Sequence, residues 1–96
     1  MNLDAPYCVA PGVAIRPEGF GGLAYRYDNR RLYFLHSHEL VDFVNQLDGA
    51  SPLTEVLDNF LAARKLPEST RERFIQAMTR LETLGILNQS GLDTKM

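Results

Sequence analysis

The sequence predicts an α+β domain: a three-stranded antiparallel sheet followed by three helices, arranged like a winged helix-turn-helix with the sheet placed first. Two observations carry this. Apolar residues recur at every second position up to Leu35, and at spacings of three and four from Leu40 onward. The links between the alternating segments are of hairpin length, which makes neighbouring strands antiparallel. At 96 residues the chain has the length of one domain with one modest core.

Residues 1–12 hold Pro6, Pro11 and Gly12 without a periodic pattern and read as an N-terminal arm, ordered only where something anchors it. The sheet is expected within residues 13–35. Val13 and Ile15 alternate with Ala14 and Arg16, and Pro17, which has no ladder donor, is expected to end that strand. Glu18 to Gly22 is a glycine-rich turn. Leu23, Tyr25 and Tyr27 then alternate with Ala24 and Arg26, the pattern of a strand with one buried face, and Asp28-Asn29 supplies turn chemistry. In the returning strand, Arg31 to Leu35, Leu32 and Phe34 fill one face while Tyr33 and Leu35 fill the other, so both faces want cover.

The helical part is expected over residues 37–87. Ser37 caps a first helix whose apolar positions Leu40, Phe43, Val44 and Leu47 form one stripe, ending before Asp48-Gly49. Ser51, with Pro52 at the first helical position, opens a second helix carrying Leu53, Val56, Leu57, Phe60 and Leu61 on one face and running to about Arg64. After Pro67, Ser69-Thr70-Arg71-Glu72 reads as a capping box for a third helix with Phe74, Ala77, Met78, Leu81 and Leu84 inward and Gly85 just past its end. Residues 88–96 are polar and expected to be a loose tail.

Composition narrows the function. The apolar and charged fractions, 45% and 23%, are ordinary for a folded domain. A single cysteine, Cys8, forms no internal disulfide and suits a reducing compartment; without an apolar leader or spanning segment, a soluble cytoplasmic protein is expected. Charge is segregated along the chain. Between His36 and Ala63 lie five acids and no Lys or Arg, whereas Arg64 to Arg80 holds five bases against two acids.

No residue set for catalysis is visible. His36 and His38 are spaced to share a metal ion, but no further His or Cys accompanies them, so they read as polar residues at a helix start and no metal or cofactor is expected. Cys8 lacks a neighbouring base and electropositive setting. Gly19-Phe20-Gly21-Gly22 is followed by neither Lys-Ser/Thr nor a helix, so it is a turn and no phosphate loop. The expectation is a binding module and no enzyme.

Two surfaces are candidates. With strands ordered first to third, Arg31 to Leu35 lies on an edge, a template for an added strand, unless Tyr33 and Leu35 merely pack beneath the third helix. On that helix Arg71, Ile75, Met78 and Glu82 form a second stripe in which Ile75 either lines a groove or seals the rim of the core. The alternative class is a winged-helix DNA-binding regulator using the third helix; a net charge of −2 and the lack of a dense Lys/Arg helix weigh against it. A homodimer pairing the same edge is a third arrangement.

The run Val13-Ala14-Ile15-Arg16-Pro17-Glu18-Gly19-Phe20-Gly21-Gly22-Leu23-Ala24-Tyr25, followed by Asp28-Asn29-Arg30-Arg31-Leu32-Tyr33-Phe34-Leu35, closely resembles the mycofactocin biosynthesis chaperone family, MftB. Its distinctive part is Arg-Pro-Glu-x-Phe-Gly-Gly-Leu-x-Tyr. The resemblance covers about residues 10 to 87 and is carried by motif in the sheet and by pattern in the helices. It implies a RiPP recognition element of PqqD-like fold that binds the leader of the ribosomally made mycofactocin precursor peptide and presents it to a radical S-adenosylmethionine maturase, with no cofactor of its own. It further implies that the leader adds as a strand beside Arg31, Leu32, Tyr33, Phe34 and Leu35, in a groove closed by the third helix. Helical spacing extends that site to Arg71, Ile75 and Met78.

Overall fold

A computed structural model describes residues 1–90. The chain runs β1 (Tyr7–Val9), β2 (Val13–Glu18), β3 (Gly21–Arg26), β4 (Arg31–Leu35), α1 (His38–Asn45), α2 (Leu53–Arg64), α3 (Glu68–Thr83) and β5 (Leu87–Gln89). The fold is α+β, with β2, β3 and β4 forming an antiparallel sheet in that order and the three helices following it.

Pro17 does not end the first predicted strand. It pairs with Gly22 inside β2, which continues to Glu18. Because β2 is an edge strand, a missing N–H there need cost no ladder bond.

The face that β3 buries is the opposite of the one its pattern predicts. Gly22 and Ala24 are buried, as is Leu35 in the neighbouring strand, and Val13, Ile15 and Tyr33 pack against the core beside them. Leu23 and Tyr25 point the other way, and Tyr27 lies beyond the end of β3, 61% exposed. The reason is close approach: a Cβ on Gly22 would stand 2.6 Å from Val41 Cγ2 of α1, and one on Gly21 would stand 2.0 Å from the Leu35 carbonyl oxygen. Small residues on β3 therefore let α1 and the β4–α1 junction lie against the sheet, and the large ones are left outside.

The helices enclose an aromatic centre. Phe43, Phe60 and Phe74, one from each helix, have ring centroids 5.2 to 6.0 Å apart, with Leu53, Leu57, Met78 and Ile86 buried around them. Ser37 caps α1 as its sequence indicates, accepting from Leu40 N–H at 3.1 Å. The other two starts differ. Pro52 and Pro67 occupy the N-cap positions of α2 and α3 with no side-chain bond, so neither Ser51 nor the Ser69-to-Glu72 box serves as a cap. Orphan N–H groups of α2 are met instead by the N-terminal arm, with Leu53 N–H donating to Ala5 O and Thr54 N–H to Leu3 O, both at 3.0 Å.

That arm is thus anchored, and it contains regular structure that its sequence does not reveal. β1 pairs antiparallel with β5 through Tyr7↔Gln89 and Val9↔Leu87, and the Tyr7 side chain is buried. The expected tail from residue 88 begins inside β5, and residues 91–96 lie outside the described residues. At the end of α3, Gly85 has φ +80°, Gly85 N–H donates to Glu82 O at 3.0 Å, and Ile86 N–H donates to Leu81 O at 2.9 Å. That is a Schellman closure, which turns Ile86 and Leu87 back into the core.

Candidate functional site

The three-stranded sheet has two edges without a partner strand among the described residues, β2 and β4. Pro17 blunts β2. β4 carries no proline, and beside it a groove of about 360 Å³ opens between the strand and the second half of α3. Its strand wall is Leu32, Tyr33, Phe34, Leu35 and His36, with Leu40 at the base; its helix wall is Ala77, Arg80, Leu81 and Leu84. The walls are mostly apolar, and Arg80 makes no ion pair among the described residues.

Arg26 holds one end of this groove in shape. Its guanidinium donates to the Leu84 carbonyl oxygen at 2.8 Å, tying the C-terminal end of α3 to the central strand, and donates to Asp28 at 2.6 and 3.1 Å. The bond from Arg26 holds the Asp28 carboxyl below the usual carboxylate range. Gly85 leaves room for the guanidinium, since a Cβ there would meet Arg26 Nη1 at 2.5 Å. At the other end the His38 imidazole donates from Nε2 to the Gly19 carbonyl at 2.8 Å, fixing the β2–β3 turn to the start of α1.

Of the residues expected at the site, Leu32, Tyr33, Phe34 and Leu35 line the groove, and Arg31 lies exposed at the start of β4. Tyr33 is half-buried, Leu35 is part of the core, and the side chains of Leu32 and Phe34 are 55% and 60% exposed. The three helix positions chosen by spacing do not line it. Met78 is fully buried, Ile75 packs at the margin of the core, and Arg71 bonds to Asp58 of α2. The groove takes Ala77, Leu81 and Leu84 instead, a stripe visible in the sequence but readable only as core. His36 and His38 do not converge on a metal site: His36 stands 5.5 Å from the Phe20 ring and His38 is bonded to Gly19. Among the described residues no group of three His, Cys, Asp or Glu side chains comes together.

An α+β scaffold of winged-helix order with an unpaired strand along an apolar groove defines a module suited to extended chains, a class that includes peptide-binding domains. The model of the Peptide chaperone MftB family matches residues 6–88, and the chain belongs to that family. Over 35 residues it is 49% identical to the peptide chaperone MftB of Mycolicibacterium smegmatis, a stretch that is 36% of this chain and 34% of that protein's length. No solved structure matches the chain. No helix among the described residues is long and apolar enough to cross a membrane.

Proposed function

We propose that this chain is a non-catalytic chaperone that binds the leader of the ribosomally made mycofactocin precursor peptide as an added strand along β4, and presents it to a radical S-adenosylmethionine maturase. The observation that carries the reading is the open edge of β4 forming one wall of an apolar groove. An extended peptide laid there would take main-chain hydrogen bonds from the strand and set alternate side chains against Ala77, Leu81 and Leu84. The maturase and the precursor come from the family resemblance, and membership of a peptide chaperone family supports a peptide as the partner.

The test is calorimetric titration with the synthetic leader and with leaders N-methylated at one or the other set of alternate residues. Binding by the leader alone, weakened at least about tenfold by methylation of one set and little by the other, is expected of strand addition. Equal affinity for all three peptides would remove β4 from the interface, and no binding by a folded chain would end the chaperone reading. Tyr33→Asp is the matching variant, expected to abolish binding with the fold retained. Leu35→Asp is unsuitable because Leu35 lies in the core.

A further inference from the structure

We propose that the uncovered outer face of the β2-β3-β4 sheet is a second docking surface, for a folded protein whose contact patch is apolar at its centre and acidic at its rim. The face is built from cross-strand rows. Leu23 lies opposite Phe34 and Arg16, and Tyr25 lies opposite Leu32 and Ala14. Phe20 closes one end, 5.6 Å from the Phe34 ring and 5.5 Å from His36, and Tyr27 meets Tyr25 edge to face at 4.9 Å. The large exposed apolar side chains Phe20, Tyr27, Leu32 and Phe34 all belong to this side. The chain is only 17 Å thick along its shortest axis, the depth of one sheet and one layer of helices, and no described element crosses this face.

The residues that make β3 look like a half-buried strand are thus the ones the chain leaves uncovered. Gathered apolar side chains of this size on one exposed face mark an interaction surface, whereas scattered ones carry no such meaning. Charge selects the occupant. In residues 13–35 the two acids are already paired, Glu18 with Arg16 and Asp28 with Arg26, so Arg30 and Arg31 are left as net positive charge; Arg30, in the exposed β3–β4 turn, stands at the end of this face, and Arg31, the cross-strand partner of Arg26, lies on the helix side. A second copy laid face to face would set like charges together, whereas an acid-rimmed partner is attracted. The patch is also continuous with the groove, since Phe34 and His36 border both. A protein seated on it would stand beside a peptide bound along β4. The inference rests on the proposed function for the identity of that protein, the maturase.

The experiment measures binding of the full chain to purified radical S-adenosylmethionine maturase and, separately, to the synthetic leader, for the wild type, Tyr25→Asp and Phe20→Ser. Neither substituted residue lines the groove, and Phe20 lies on a turn, so it tolerates replacement if Tyr25→Asp fails to fold. Both folded variants are expected to lose maturase affinity at least tenfold and to keep leader affinity within twofold; Arg30→Glu is expected to weaken the maturase complex and spare the leader. Unchanged maturase affinity in both variants, no wild-type complex, or a wild-type dimer that these substitutions dissociate would each overturn the proposal. Loss of leader binding by the wild type, with the maturase arm intact, would sink the proposed function and leave this surface standing.

Discussion

Ala77 and Met78 are adjacent on α3 yet take part in different structures. Ala77 lines the groove, and Met78 is fully buried beside the phenylalanine cluster. Ala77→Glu is expected to leave the thermal midpoint nearly unchanged and to weaken leader binding at least about tenfold, the equivalent of about 1.4 kcal/mol. Met78→Ala should cost about 2–5 kcal/mol of stability and leave the affinity of the folded fraction unaltered. Denaturation and calorimetry on the two variants separate these roles; a binding loss specific to Met78→Ala would return that residue to the site. At Gly22, alanine overlaps Val41, and Gly22→Ala should destabilise by about 1–3 kcal/mol. Adding Val41→Ala should restore part of this in a double-mutant cycle, because one of the colliding neighbours is then gone. Asp48 accepts from Ala50 N–H at 2.9 Å and Ser51 N–H at 3.1 Å, and these bonds hold its carboxyl below the usual range. A depressed folded-state value stabilises above the unfolded value of about 3.9 and loses that effect as pH falls through the folded one. Wild type should therefore outlast Asp48→Asn at pH 6 and converge with it in acid; a gap independent of pH would refute that account.

Among the elements, helix interiors and the start of α1 were legible from the sequence, and the starts of α2 and α3 were not. The stripes of α1 and α2 depend on residues three and four apart, a local property that survives any tertiary arrangement. The starts of α2 and α3 depend on what reaches the orphan N–H groups, and at α2 that is the main chain of Ala5 and Leu3, about fifty positions away. A carbonyl from a distant segment leaves no mark in composition. The same holds for β1 and β5, three residues each, whose partner strands stand at opposite ends of the chain. The C-terminus of α2 offers a local test. Lys65 adopts φ +55°, with Leu66 N–H donating to Leu61 O in a Schellman closure built without glycine. Lys65→Gly removes the left-handed strain at some loss of chain entropy, and a net gain of about 0.5–1 kcal/mol in chemical denaturation is expected. No gain would mean that the Lys65 side chain makes a compensating contact.

Across the whole molecule, charge is organised by tertiary contact more than by order in the chain. The basic run from Arg64 to Arg80 is partly used internally: Arg64 pairs with Asp42 at 3.1 Å and lies over the Phe60 ring, and Arg71 pairs with Asp58. On the proposed function, the bases left to steer a leader of acidic character would be Lys65, Arg73 and Arg80, the last of them in the groove. Stopped-flow association is expected to slow by less than about tenfold between low and high salt, with Arg80→Gln removing most of that dependence. A dependence unaffected by Arg80→Gln would place the steering charge elsewhere. Local pattern was enough for the α+β class, the succession of β2 to β4 and the three helices, the edge position of Arg31–Leu35 and the family-like motif, because alternation, helical periodicity and turn chemistry are short-range properties. Long-range packing sets which side of β3 faces the helices, which end of α3 opens into a groove, and that Arg71 and Met78 are committed elsewhere. Those outcomes turn on the close packing that Gly21 and Gly22 permit and on the bond from Arg26 to Leu84, contacts between residues far apart in the chain.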